Sequence, residues 1–195
     1  PIKKYKSLAD QLNIGIFCSN NCKNGPYEEY LAETERMIAD AKSRFQLDPD
    51  SIFLGGFSGG ARAAVNYGFH HSVAGIIGCG SGFPPHFQSR IPAYPYAGVI
   101  GIEDMNYLEM KNLFRRLENR NSELFITANG HDWPSAKDMS HTLTWLLSLR
   151  ENSYLKNQII NTERSIVDSL YSKQDLVYAM FWLQKLLSIN SENLL

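Results

Sequence analysis

At 195 residues the chain is long enough for one domain with a sizeable core and a small appendage. Hydrophobic residues make up 44% and charged residues 20%, and the formal net charge is −1, so no global field favours nucleic acid or an anionic membrane surface. No apolar run approaches the roughly 20 residues that a membrane-spanning helix needs, so no membrane span is expected and a water-soluble protein is.

In chain order, residues 7–11 read as the end of a helix, and the apolar run LNIGIFCS at 12–19 predicts a first buried strand. The stretch NNCKNGP at 20–26 is loop chemistry, because Asn, Gly and Pro tolerate turns and left-handed backbone. Residues 27–45 carry Leu31, Met37, Ile38 and Ala41 on one stripe, with acids early and bases late, which predicts an amphipathic helix aligned with its own dipole. Asp48 to Ser51 stop it, and IFLGG begins a second strand.

The alternation continues with a helix over 60–67, strands within 72–80, 96–102 and 123–130, and helices over 107–120 and 135–149. An irregular loop rich in Pro and aromatics, SGFPPHFQSRIP, fills 81–92. Five short apolar strands separated by helices or long crossovers predict an α/β fold, a mostly parallel sheet with helices on both faces. Past Arg150 there is no Gly and no Pro, and the apolar residues recur at helical spacing. Helices are predicted over 154–171 and 174–189, as a lid, a brace, a surface for protein contact or the start of a helical array. The expected division is therefore a catalytic domain over 1–149 and a helical extension over 150–195.

The three cysteines, Cys18, Cys22 and Cys79, are too few for a disulfide framework. Cys18 and Cys22 lack the second pair or nearby His that a zinc site needs, so all three read as small apolar filler.

Four glycines, Gly55, Gly56, Gly59 and Gly60, crowd Ser58. Gly56-Phe57-Ser58-Gly59-Gly60 fits G-x-S-x-G, with a strand predicted before it and a helix after it. A phosphate loop fits less well, since no G-K-[ST] follows the glycines, and G-x-G-x-x-G is not matched either. Small flanking residues allow a sharp turn that lifts the Ser58 hydroxyl above the strand ends, where the first helical turn favours negative charge.

Serine needs a base. Of five His, His70 and His71 read as the end of the elbow helix, His141 as helix surface, and His86 lies in the loop at 81–92. His131, in NGHDWP, follows the last predicted strand on the rim where such a sheet presents its side chains, and is the preferred base. A carboxylate must orient it. Glu103 and Asp104 end the fourth predicted strand, and alternation lets one of them reach His131; Asp104 is preferred, with Asp132 a weaker competitor. The order Ser58, Asp104, His131, each just after a different strand, is the order of an α/β-hydrolase.

On SNNCKNGP, GGFSGGARAA, GIEDMNYLEM and NGHDWP the chain resembles small α/β-hydrolases of the carboxylesterase, dienelactone-hydrolase and polyhydroxybutyrate-depolymerase-like group, over residues 5–148. The resemblance implies Ser58 as nucleophile, Asp104 as acid and His131 as base, with the Gly59 N–H as one oxyanion donor. The family also carries further N-terminal strands and a loop that supplies a second donor. The chain opens on Pro1 without either, so its start reads as trimmed. Asn20, Asn21, Phe57, Phe83, Phe87 and Trp133 are expected around a pocket for a small organic ester or related acyl substrate. No metal or organic cofactor and no nucleic acid are expected. The rival readings are a non-catalytic binding protein on the same scaffold and an acyltransferase.

Overall fold

Four short apolar stretches pair in the order in which they occur along the chain, all of them parallel. They belong to a computed structural model that describes residues 2–21, 25–118 and 121–149, together with seven single positions between 161 and 183. Two units divide the chain, Pro1–Leu146 and Leu147–Leu195, and the sheet lies in the first. The helices expected at 154–171 and 174–189 fall outside the described residues, save for those single helical positions.

The elements run α1 (Ile2–Leu12), α2 (Tyr27–Arg44), β1 (Phe53–Phe57), α3 (Gly59–Gly68), β2 (Gly75–Cys79), β3 (Tyr96–Gly101), α4 (Tyr107–Arg116), β4 (Ser122–Thr127) and α5 (Ala136–Ser148). Short 3-10 turns stand at Pro49–Ser51 and Pro85–Phe87. None of the described helices is long and apolar enough to cross a membrane.

Central strands β2 and β3 are buried at every position, as an unbroken apolar run in a parallel sheet requires when helices cover both faces. Alternation sorts their side chains. Ile76 and Tyr96 face a layer formed by α3 and α4, on which Leu31 and Ile38 of α2 also pack. Ile77, Cys79, Ala97 and Val99 face the layer of α1 and α5, with Tyr5, Leu8, Met139 and Leu146. On α3, the buried Ala61, Ala63 and Ala64 keep the helix close to the strands beneath it.

One predicted strand is not a strand. Leu12 still belongs to α1 and residues 13–19 are irregular after it, and among the described residues β1 pairs only with β2. Asn13 turns the chain with a φ of 52°, a left-handed conformation that Asn tolerates, and the Ile14 N–H donates to the Ala9 carbonyl at 3.0 Å, closing the helix end. Leu12 and Ile16 then pack against the α1–α5 layer while Phe17 and Cys18 are exposed. The apolar spacing was sound, but a strand is a pairing state and this run has no hydrogen-bonded neighbour among the described residues.

One buried polar group in the core is unsatisfied among the described residues. The Tyr96 ring is fully buried, stacked on Phe114 and edge-on to Phe83, and its hydroxyl has no hydrogen-bond partner among the described residues. Burial pushes its ionisation well above the ordinary phenol range, so the hydroxyl stays neutral and unsatisfied. Tyr96→Phe is therefore expected to raise stability by about 1 to 3 kcal/mol in denaturant unfolding. A loss of stability would show that the hydroxyl is bonded in solution.

Candidate active site

β1 turns into α3 without an intervening loop, and Ser58 is the residue at the junction. It sits at φ 53° and ψ −117°, a conformation that costs a non-glycine residue strain and persists only where the surroundings impose it. Two contacts do so. The Ser58 N–H donates to the Cys79 carbonyl at 2.8 Å, and the Ser58 carbonyl accepts from the Ser81 hydroxyl at 2.7 Å. The turn also demands Gly56, where a Cβ would stand 2.1 Å from the Gly60 carbonyl oxygen; Gly60 itself has open space at that position. Only one glycine of that pair is thus required by close approach.

His131 lies on the loop after β4, between Gly130 and Asp132. Its Nε2 is 3.1 Å from Ser58 Oγ, and its Nδ1 is 2.7 Å from Asp104 Oδ2. A carboxylate oxygen only accepts, so Nδ1 carries the proton and the Nε2 lone pair is left for the serine hydroxyl. The loop is anchored from α1: Tyr5 donates its hydroxyl to the Pro134 carbonyl at 2.7 Å, and Lys4 Nζ donates to the Trp133 carbonyl at 2.9 Å. Rings continue the anchorage inward, Tyr5 against Trp133, Trp133 against Phe57, and Phe57 against the imidazole at 4.7 Å between centroids.

Asp104 stands three residues past the end of β3, and its side chain is 1% exposed. Its second oxygen, Oδ1, accepts the Asn106 N–H at 2.8 Å, an Asx turn that holds the carboxylate where Nδ1 meets it. Glu103, the competitor at the strand end, is exposed, and its N–H donates to the Asn129 carbonyl. Asp132 is also exposed and accepts the N–H of Trp133. The ends of three strands thus bring a hydroxyl, an imidazole and a buried carboxylate into one hydrogen-bonded line, an arrangement able to draw a proton from the serine.

The remaining expectations fare unevenly. Gly59 opens α3, where N–H groups have no intrahelical acceptor. Phe57 is half-buried against the imidazole, and Trp133, also half-buried, packs on Phe57. Asn20 and Asn21 are exposed, with Asn21 bonded to Ser19 and lining an open cleft of about 570 Å³ against Glu28, Glu29, Glu33 and Arg36 of α2. Phe83 is corrected. It is 1% exposed and packs edge-on to Phe69 and Tyr96 in the α3–α4 layer, so it is core and not pocket wall; Phe87 is buried in the same layer. Aromatic loop residues after a strand end read alike whether they turn outward or back under the helices. Of the other His, His71 stacks on Tyr67 and His86 lies edge-on to Tyr27.

Sequence reasoning missed Gly80, Ser81 and Asn106. Gly80 has a φ of +68°, and a Cβ there would meet the Phe57 ring at 2.7 Å and His131 at 3.3 Å. The Asp-x-Asn spacing at 104–106 was the available signal for the Asx turn.

No protein-family model matches the chain, and no curated protein matches it. Solved structures do. The chain is similar to an uncharacterised protein from Bacillus cereus ATCC 10987, at 19% identity and a TM-score of 0.59, covering 77% of this chain and 54% of that one. It is similar to a provisionally assigned hydrolase of the α/β superfamily from Xanthomonas campestris pv. campestris, at 14% identity and a TM-score of 0.51, covering 77% and 90%. A provisionally assigned hydrolase from Agrobacterium vitis S4 aligns at 14% identity and a TM-score of 0.50, covering 76% and 80%. The chain spans about half the length of the Bacillus protein. Likeness at such identities speaks for architecture alone, and together with the parallel four-stranded sheet it establishes that this chain has the α/β-hydrolase fold.

Proposed function

We propose that the chain is a serine hydrolase acting on a carboxylic ester or a related acyl bond. The supporting observation is the line Ser58 Oγ, His131 Nε2 at 3.1 Å, His131 Nδ1, Asp104 Oδ2 at 2.7 Å, drawn from residues that follow three different strands, β1, β3 and β4. Ser58 Oγ attacks the acyl carbon as its proton passes to His131 Nε2. The resulting oxyanion meets the Gly59 N–H at the positive end of α3. The tetrahedral centre then expels the alcohol, which takes the proton from His131, and leaves an acyl group on Ser58. Water enters by the same proton path and releases the acid. Asp104, kept from solvent, holds the imidazole in the productive tautomer and offsets the imidazolium charge. Phe57 and Trp133 offer an aromatic wall to the substrate beside the reacting atoms.

Cys79 is no rival nucleophile. It is buried in β2, and burial pushes its thiol up to about 12, so at neutral pH it is protonated and shielded. In the folded full-length chain, iodoacetamide is expected to leave Cys79 unmodified by mass spectrometry; alkylation there at the rate of a free thiol would contradict its burial.

Hydrolysis of p-nitrophenyl esters and labelling by a fluorophosphonate provide the central test. Ser58→Ala is expected to lower turnover by a factor on the order of 10⁶ and to abolish labelling. Asp104→Asn should leave the chain folded and lower kcat by about 10⁴, because the amide favours the wrong imidazole tautomer. An intact wild-type chain that neither turns over such esters nor labels at Ser58 would end the proposal.

A further inference from the structure

Four consecutive residues after β2 each hydrogen-bond to a different part of the site. The Gly80 carbonyl accepts from Asn106 Nδ2 at 2.7 Å, and the Ser81 hydroxyl donates to the Ser58 carbonyl at 2.7 Å. The Gly82 N–H donates to Glu109 Oε1 at 3.1 Å, and the Phe83 carbonyl accepts from Arg62 Nη1 at 2.6 Å. Arg62 Nη2 then closes the network by donating to both carboxylate oxygens of Glu109, at 2.9 and 2.8 Å.

The two charged residues occupy matching places. Arg62 stands one turn into α3, and its N–H donates to the Ser58 carbonyl at 3.3 Å, so it is fixed to the helix whose start carries the hydroxyl. Glu109 lies in the first turn of α4, just past the Asp104–Asn106 turn; the Tyr107 N–H donates to the Asp104 carbonyl at 3.0 Å and makes carboxylate and helix one piece. The pair is 23% and 31% exposed at its side chains, so it is neither an ordinary solvated surface bridge nor a core pair. It spans the ends of α3 and α4 with the segment 80–83 threaded between them.

We propose that Arg62 and Glu109 are positioning residues, which clamp the segment 80–83 between α3 and α4 and thereby fix the distance from Ser58 to the Asp104–His131 pair. The proposal rests on the serine-hydrolase reading of the site. Neither residue touches the reacting atoms. Each acts through the backbone that carries one of them, and proton transfer between groups 3.1 Å apart is sensitive to displacement of either. The planar guanidinium suits the task, since it serves a carboxylate and a carbonyl at once with fixed geometry, which an ammonium cannot do.

The test uses the full chain and three variants. Glu109→Gln keeps the size of the side chain but loses the charge and an acceptor for Arg62, and Arg62→Lys keeps the charge but loses the fork. Arg44→Ala breaks an exposed ion pair with Asp40 on α2 and serves as control. Labelling rates with a fluorophosphonate are compared well below each variant's own melting midpoint. The hydrogen-bonded Nδ1 proton of His131 is followed by NMR in histidine-labelled protein, assigned by its absence from His131→Gln. Both clamp variants are expected to label about 10- to 100-fold more slowly and to lose the Nδ1 resonance through faster exchange with water, while Arg44→Ala matches wild type. Folded clamp variants that label at the wild-type rate and keep the resonance would overturn the proposal. If wild type itself fails to label, the hydrolase reading falls, and the resonance alone decides the clamp: its loss in Glu109→Gln upholds the positioning role and its persistence refutes it.

Discussion

The contact between the end of β1 and the first turn of α3 sets the geometry of everything above the sheet. A strand that passes into a helix with no loop brings its penultimate residues against the helix backbone, and here a side chain at position 56 would collide with the carbonyl of Gly60. Once that space is left empty, the residue between the two elements must reverse direction in a single step. Ser58 does so at positive φ, and its hydroxyl is lifted clear of the strand ends beside the helix dipole. The strain is carried by two hydrogen bonds from the end of β2 and the residues just after it, to the Cys79 carbonyl and from the Ser81 hydroxyl, not by the serine itself.

Each of the other participants is fixed by a different kind of interaction. Asp104 is fixed locally, by a turn in which its own carboxylate accepts the N–H two residues on, and by burial that keeps competing water away. His131 is fixed at long range. Its loop has few internal bonds, and it is the N-terminal helix α1, more than a hundred residues distant in sequence, that ties down the carbonyls of Trp133 and Pro134 and lines up the rings behind the imidazole. Hydroxyl, carboxylate and imidazole therefore depend respectively on a strand-to-helix junction, a local Asx turn and a tertiary brace. Those three classes of interaction fail under different perturbations, which makes them separable by experiment.

Much of this was legible in the residues. The alternation of apolar runs with amphipathic stripes predicted α2, α3, α4 and α5 and the four strands that pair, because periodicity reports directly on which side chains must leave water. Ser58, Asp104 and His131 could be picked out because each sits where a parallel strand ends, and a parallel sheet delivers those ends to one rim. Phe83 and the run at 12–19 went the other way. Phe83 has the composition of a pocket wall, yet the chain folds it under α3 and α4; the run at 12–19 has the composition of a strand, yet packs without a ladder. Composition measures how much a segment gains by leaving water and is silent about which neighbour receives it.

The sequence by itself determined the class of fold, the junction at Ser58 and the placement of Asp104 and His131 after later strands, since these follow from local periodicity, from glycine placement and from chain direction in a parallel sheet. Only the tertiary structure decided the pairing of His131 with Asp104 in preference to Glu103 or Asp132, the bracing of its loop by Tyr5, and the joining of Arg62 to Glu109 across the segment 80–83. Contacts of that kind join residues tens of positions apart through directional hydrogen bonds. Their energy depends on ångström-scale placement of whole elements, a quantity set by packing of the completed core and carried by no local pattern of residue types.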